Sequence, residues 1–340
     1  MRVLLLLLKN NFMRTLNINK LKRTKVAKLI LYALLSIYVL ISLFFSVFFY
    51  ANLIADALLK YGLISYMLIL FFIMAVITNF TFSIHSSKSS IFNSDDNDML
   101  FSLPIKSGTI LASRLINTII WNLFTSLIFL IPALIVYTFK VNVGFEFYIF
   151  NIIIFIFLPI IPTVLASVVG YLIAYFTSKS NKKNFFEILI SLLFVFSIYY
   201  LMYSGQKLLT LFVNNQELVA KIIKYAFYPI YVAIEALTKY NYLYLLEYIL
   251  INVAVIFIYV YILKKQYKRI VSKLQENRTK SNYSMKKLKS KGQNFALITK
   301  EIKRYFSSPI YVLNTIFGVI LFAVFSVTTI FMDKNKIIEM

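Results

Sequence analysis

Long apolar runs dominate this sequence and constrain its fold more than any other feature. Seven of them are long enough to cross the roughly 30 Å hydrocarbon core of a bilayer as helices. They cover residues 29–54, 62–84, 109–139, 147–177, 185–203, 242–263 and 309–332. The few Gly and Pro residues, 7 and 6 in all, argue against a β-barrel with its many turns. We therefore predict an all-α fold: a polytopic membrane helical bundle of about seven transmembrane helices.

The net charge of +23 allows two interpretations, a nucleic-acid binder or a membrane protein with basic flanking segments. The Lys and Arg residues cluster between the apolar runs, as the positive-inside rule describes. The most basic segments are residues 2–28, before the first run, and residues 264–304, after the sixth. This pattern favours the membrane interpretation, with no nucleic acid as a partner. It predicts a multi-pass protein of the plasma membrane with a cytoplasmic N-terminus.

Two segments have the pattern of amphipathic helices lying on the membrane surface. In each, apolar side chains recur at helical spacing with basic residues between them. The apolar positions are Leu5, Leu8, Phe12 and Leu16 in the first segment, and Phe295, Ile298, Ile302 and Tyr305 in the second. Between the sixth run and the second amphipathic segment, residues 264–293 form a basic linker rich in Lys, Ser and Asn. The linker predicts a boundary between two halves, the second being residues 294–340.

The chemistry of common enzymes is missing from the sequence. There is no Cys, and His85 is the one His, so neither a thiol nucleophile nor a usual zinc site is available. Neither a G-x-x-x-x-G-K-[ST] loop nor G-x-G-x-x-G occurs. We therefore predict no catalytic residue, no metal site and no bound cofactor. If transport here is driven by ATP, a separate subunit must hydrolyse it.

The loop after the second apolar run, residues 86–108, is the most informative connection in the chain. It holds three of the thirteen acidic residues, Asp95, Asp96 and Asp98, followed at once by large apolar side chains. The alternative is a juxtamembrane loop resting on lipid, yet acids are poor anchors for an anionic leaflet. A short acidic and apolar segment suits a groove on a cytoplasmic partner better.

Two stretches resemble permease subunits of type-two ATP-binding-cassette (ABC) exporters, particularly a group from low-GC Gram-positive bacteria. The stretch SDDNDMLFSLPIKSGTILASRL, residues 94–115, resembles the loop after their second helix. The stretch KEIKRYFSSPIYVLNTIFG, residues 300–318, resembles the opening of the second half of the same permeases. Relatives with this second motif usually continue through another set of helices, so the chain resembles a permease that ends early in its second half.

The resemblance implies an architecture and a set of partners. Residues 1–28 are expected to form an amphipathic connecting helix and residues 29–263 a six-helix transmembrane domain. The loop of residues 86–108 would hold a coupling helix that contacts an ABC ATPase subunit. The other partners that the resemblance implies are the lipid membrane and a second permease chain. The coupling-helix residues by position are Asp95, Asp96, Asp98, Met99, Leu100, Phe101 and Leu103.

Other function classes remain open at this stage. A secondary carrier driven by an ion gradient needs ionisable groups inside the membrane, and few are present. Glu247, about a turn and a half into the sixth run, is the one candidate for such a transport role. A membrane assembly protein without transport is the other alternative, and a membrane-embedded enzyme has no visible catalytic cluster. The substrate is not given by the sequence.

Overall fold

The computed structural model describes residues 2–15, 26–94, 96–179, 221, 224–279 and 292–307, together with six single positions beyond them. The chain is helical throughout these ranges and contains no strand in them. The helices are α1 Arg2–Thr15, α2 Val26–Leu59, α3 Ser65–Ser86, α4 Asn97–Ser102, α5 Ser107–Lys140, α6 Phe145–Phe157, α7 Ile160–Lys179, α8 Tyr228–Lys239, α9 Tyr242–Leu263, α10 Tyr267–Thr279 and α11 Gln293–Ser307. A π-helical turn, Ser87–Phe92, continues α3. The predicted all-α fold is confirmed.

Five segments of the described chain are long and apolar enough to cross a membrane. They are Val26–Leu59, Ser65–Phe92, Ser107–Lys140, Phe145–Tyr175 and Tyr242–Leu263. Each coincides with one of the seven predicted runs. The predicted run at residues 185–203 lies outside the described residues, and the run at 309–332 is described only at single positions. The molecule is thus a polytopic helical bundle.

Local backbone chemistry influences where the helices begin and end. Gly62 has a φ of 69° between α2 and α3, a conformation that glycine adopts without steric cost. Pro159 has no N–H to donate, which fits the turn separating α6 from α7 within one apolar span. At the start of α9, the side chain of Asn241 accepts a hydrogen bond of 2.9 Å from the backbone N–H of Leu243. This cap satisfies one of the donors that every helix start leaves open.

The chain divides into two compact units. The first comprises Met1–Tyr175 and Val213–Glu276, and the second comprises Phe176–Phe212 and Asn277–Met340. In the second unit, α11 carries exposed apolar side chains at Phe295, Ile298 and Ile302 together with basic residues. Helix α11 thus has the amphipathic pattern that the sequence predicts. The candidate functional site lies entirely in the first unit.

Helix α5 is the central helix of the first unit, and α1, α2 and α3 all pack against it. Helix α2 buries Ala51, Ala55 and Leu58 near its end, whereas the side chains of its first half are exposed and mostly apolar. An exposed apolar helix of this length suits contact with lipid. The predicted amphipathic N-terminal helix is present as α1. Its Leu7 faces the bundle, and its Phe12 ring stacks on Trp121 at 5.7 Å between centroids.

The spans run alternately up and down, so their termini gather at two ends. The basic end contains the end of α1, the π-helical turn, α4, the start of α5 and the start of α10. Among the described residues, its cations include Arg14, Lys88, Lys106, Arg114, Lys264, Lys265, Lys268, Arg269 and Lys273. The far end contains the turn between α2 and α3, the turn between α5 and α6, α8 and the start of α9. The two ends are built differently.

Candidate functional site

The segment that joins α3 to α5 begins with the π-helical turn. Gly170 of α7 packs directly against it: a Cβ added there would lie 2.9 Å from the Cβ of Ser87 and 3.2 Å from the backbone N of Lys88. The Phe92 ring at the end of the turn contacts the Tyr171 ring at 5.5 Å between centroids. π-helical turns occur frequently at functional sites. Here the turn leads into α4.

Arg114 at the start of α5 is the central residue of the site. Its side chain is 2% exposed. Nη1 donates to the carbonyl of Ile91 at 3.0 Å, to Oδ1 of Asn97 at 2.6 Å and to the hydroxyl of Tyr267 at 2.8 Å. Nη2 donates to Oδ1 of Asp96 at 2.8 Å. A buried guanidinium is tolerated because its donors are paired in this way. One side chain therefore holds the π-helical turn, α4, α5 and α10 together.

Asp96 lies between two arginines at the start of α4. Besides Arg114, it contacts Arg14 of α1, whose Nη1 lies 2.9 Å from Oδ2. The Ser94 hydroxyl donates a further hydrogen bond to this carboxylate. Burial by itself raises the pKa of Asp96, but the Ser94 hydroxyl and the two guanidinium groups together hold it below its ordinary value. Asp96 is therefore an ionised anchor within the bundle.

Helix α10 fastens α4 from the other side. The Tyr267 hydroxyl donates to the carbonyl of Ile91 at 2.5 Å, and its ring packs edge-on against Phe101 at 5.9 Å. Burial raises the pKa of the Tyr267 phenol, although the neighbouring Arg114 opposes this shift. The ammonium of Lys268 donates to the carbonyl of Phe101 at 3.2 Å. The first part of the predicted linker, residues 264–293, is thus an ordered helix that contacts the site.

The structure distributes the predicted coupling residues over two sides of α4. Leu100 is buried and Phe101 half-buried against the bundle, on the same side as Asp96. Asp98, Met99 and Leu103 are exposed, Met99 by 61% and Leu103 by 44%. Asp95 lies outside the described residues. The segment therefore has an inner face that anchors it and an outer face that the first unit leaves open.

A second buried polar cluster lies among α3, α5 and α7, within the apolar spans. The amide of Asn122 donates to Ser83 at 2.5 Å and to Thr163 at 2.8 Å, and Asn79 donates to Ser126 at 2.8 Å. These side chains are neutral. Hydrogen bonds of this kind stabilise contacts between membrane helices. We interpret the cluster as a packing element.

Glu247, the candidate transport residue, lies near the start of α9 at the far end. Its Oε1 accepts a hydrogen bond of 2.5 Å from the hydroxyl of Tyr228, at the start of α8. Glu247 therefore lies in the first turns of α9, and its carboxylate is hydrogen-bonded to Tyr228. Among the described residues, no group of three His, Asp or Glu side chains is close enough to hold a metal ion.

Sequence reasoning did not identify the anchoring network itself. Arg114 is not among the site residues that the sequence predicts. Arg14, Asn97 and Tyr267 gave no local signal, because they are separated from Arg114 by up to 153 positions along the chain. The one available signal was Arg114 itself, because a charged residue in an apolar run needs a partner.

The fold and the site define this molecule as a polytopic helical membrane protein with an anchored helix at its basic end. Residues 24–340 match the family described as "Membrane protein of 12 TMs". The chain belongs to that family. No curated protein sequence and no solved structure matches it.

Proposed function

We propose that the chain is the permease subunit of an ABC exporter in the plasma membrane, and that α4 contacts a separate ATPase subunit. The observation that carries this proposal is the two-sided construction of α4. Its inner face is fixed to the bundle, and its outer face presents Asp98, Met99 and Leu103 at the basic end. Exposed large apolar residues beside a charge are typical of a partner-binding surface.

The anchoring of α4 supports a mechanical role. A force applied to the outer face passes through Leu100 and Phe101 into the apolar core and through Asp96 into Arg114 of α5. Because α5 also contacts α1, α2 and α3, a displacement of α4 reaches most of the first unit. Packed and hydrogen-bonded contacts carry such coupling over long distances. A loosely attached loop would absorb the motion instead.

The sequence supports the assignment of ATP hydrolysis to a partner. It has neither type of glycine-rich nucleotide loop, so the chain supplies the membrane pathway and no nucleotide site. The resemblance of residues 94–115 and 300–318 to exporter permeases supports the direction of transport. The proposed orientation, with the basic end and the N-terminus in the cytoplasm, follows from the positive-inside rule.

Thiol labelling tests the orientation. Because the sequence contains no Cys, one introduced Cys is the sole thiol. We expect a membrane-impermeant maleimide to label Met99→Cys, at the basic end, only after the cells are permeabilised. It should label Asn142→Cys, at the far end, in intact cells. The reverse pattern would place α4 outside and contradict the proposal.

Recovery of the partner tests the function. The chain is extracted from its native membrane in mild detergent, captured, and its companions are identified by mass spectrometry. We expect an ABC ATPase subunit at near-stoichiometric amounts. Recovery of the chain alone, or with membrane proteins only, would instead favour an ion-coupled carrier or an assembly protein.

Substitutions on the outer face of α4 then locate the contact. Charge reversal at Asp95, Asp96 and Asp98 together should weaken ATPase binding, but it also breaks the Asp96–Arg114 pair. The sharper variant is Met99→Ala combined with Leu103→Ala, which leaves the anchor intact. The matched control is Phe139→Ala with Phe145→Ala, two exposed side chains at the far end. Equal ATPase recovery from both variants would rule out α4 as the contact.

A further inference from the structure

A pocket of about 280 Å³ lies at the basic end between α7 and the start of α10. Tyr171 and Tyr175 line one side of it, from the last turns of the span Phe145–Tyr175. Helix α10 forms the other side with a polar edge, Arg269 and Lys273, and an apolar base that includes Leu274. The pocket thus combines cationic, aromatic and apolar surfaces in one small volume.

The two cations of the pocket are available to a ligand. Arg269 and Lys273 are four residues apart on α10, so they project from the same side of the helix. Both side chains are exposed. Neither forms an ion pair with a carboxylate among the residues that the structure describes, in contrast to Arg14 and Arg114. Two adjacent cations favour an anion with a double or delocalised charge, such as a phosphate.

The position of the pocket indicates where that phosphate comes from. Tyr171 and Tyr175 end an apolar span, at the depth where tyrosines mark the boundary between hydrocarbon and headgroups. Helix α9, another span, ends at Leu263, and α10 begins four residues later at Tyr267. The pocket therefore lies at the level of the lipid headgroups. Basic pockets between membrane helices at this level bind anionic headgroups.

We propose that this pocket binds the phosphate headgroup of an anionic phospholipid from the leaflet at the basic end. Arg269 and Lys273 contact the phosphate, and the apolar base with Leu274 receives the first part of an acyl chain. The proposal does not depend on whether the chain belongs to an exporter.

Occupancy of the pocket acts on the same helix that fastens α4. Tyr267 and Lys268 contact the α4 segment from the first turn of α10, and Arg269 and Lys273 follow on that helix. A lipid that draws α10 towards α7 therefore stabilises the position from which Tyr267 reaches Ile91 and Arg114. We expect bound anionic lipid to stabilise the contacts of Tyr267 with Ile91 and Arg114. The lipid composition of the leaflet would then influence how firmly α4 is held.

Native mass spectrometry of the full chain in a mild detergent tests the proposal. The chain is titrated with phosphatidylglycerol, with phosphatidylcholine as the lipid of no net charge and inorganic phosphate as the free anion. The test variant is Arg269→Gln with Lys273→Gln. The control variant is Lys106→Gln with Lys265→Gln, which removes the same charge from two exposed positions at the basic end outside the pocket.

We expect one phosphatidylglycerol to be retained by the unmodified chain and by the control variant, and its affinity to fall about tenfold or more in the test variant. Equal losses in both variants would mean that general positive charge attracts the lipid, and would overturn the site. Equal retention of phosphatidylcholine, or displacement of the lipid by inorganic phosphate at similar concentration, would overturn the choice of an anionic lipid. The melting temperature of both variants without lipid shows whether each is folded.

Discussion

The two ends of the first unit use charged residues in opposite ways. At the basic end, Arg114 is 2% exposed and makes four side-chain hydrogen bonds to groups on three other segments. At the far end, Lys140 pairs with Asp56 at 2.7 Å, and both side chains are substantially exposed. A buried pair fixes the position of its neighbours, because losing one member leaves the other unpaired in an apolar environment. An exposed pair fixes little.

This difference shows where the molecule requires a defined geometry. At the far end, solvent or headgroups can replace any of the ionic contacts at small cost. At the basic end, Arg114 is buried among its partners, so water cannot take their place without a rearrangement around α4. Among the described residues, buried charge is therefore concentrated around α4, a short helix whose outer face is open. This concentration supports the proposal that α4 contacts a partner.

The largest expected effect comes from removing the central cation. Arg114→Met leaves the Asp96 carboxylate without its innermost partner, so we expect the free energy of unfolding to fall by about 3–5 kcal/mol. Lys140→Met removes the same charge at the far end and should cost no more than about 1 kcal/mol. Reversible unfolding of both variants in mixed detergent micelles measures the two losses. Similar losses would show that the charged residues of the two ends contribute equally to stability.

An intermediate effect is expected from filling the space between α7 and the π-helical turn. Gly170→Val places methyl groups against Ser87 and the backbone of Lys88, so we expect a loss of about 1–3 kcal/mol from overpacking. The control is Gly144→Val at the far end, where an added Cβ meets no atom within 4 Å. Its cost should stay within about 1 kcal/mol, from the weaker helix cap. A tolerated Gly170→Val would show that the turn is adaptable.

The smallest effect is a dependence of stability on pH through Asp96. Its pKa in the folded chain lies below the ordinary value of 3.8, so protons bind first to the unfolded chain as pH falls. The stabilisation is complete above about pH 5 and is lost as pH falls below 3.8, through the folded pKa. The melting temperatures of the unmodified chain and Asp96→Asn, measured over this range, should differ by a constant amount above about pH 5 and converge only below it. Convergence at higher pH would mean that burial raises the pKa of Asp96 by more than the arginines lower it.

Much of the fold was predictable because membrane spans are encoded locally. A helix that crosses a bilayer needs about twenty apolar residues in succession, which a single stretch of sequence shows. Five of the seven predicted runs are spans of the described chain, and α1 and α11 have the predicted amphipathic pattern. The open side of α4 was predicted only in part. The sequence marked Asp96 and Asp98 as equivalent acids, and the structure separates them by burial and pairing.

The sequence by itself determined that this chain is a helical membrane protein with a strongly basic end, since apolar length and charge placement are properties of consecutive residues. The tertiary structure decided which charges are anchors and which are open. Arg114, Asp96, Arg14 and Tyr267 meet only because α1, α5 and α10 converge around the π-helical turn. Contacts between residues as far apart as Arg114 and Tyr267, 153 positions, depend on how helices pack. The identity of one residue says nothing about such a distant neighbour. The role of α4 therefore rests on packing as much as on its own sequence.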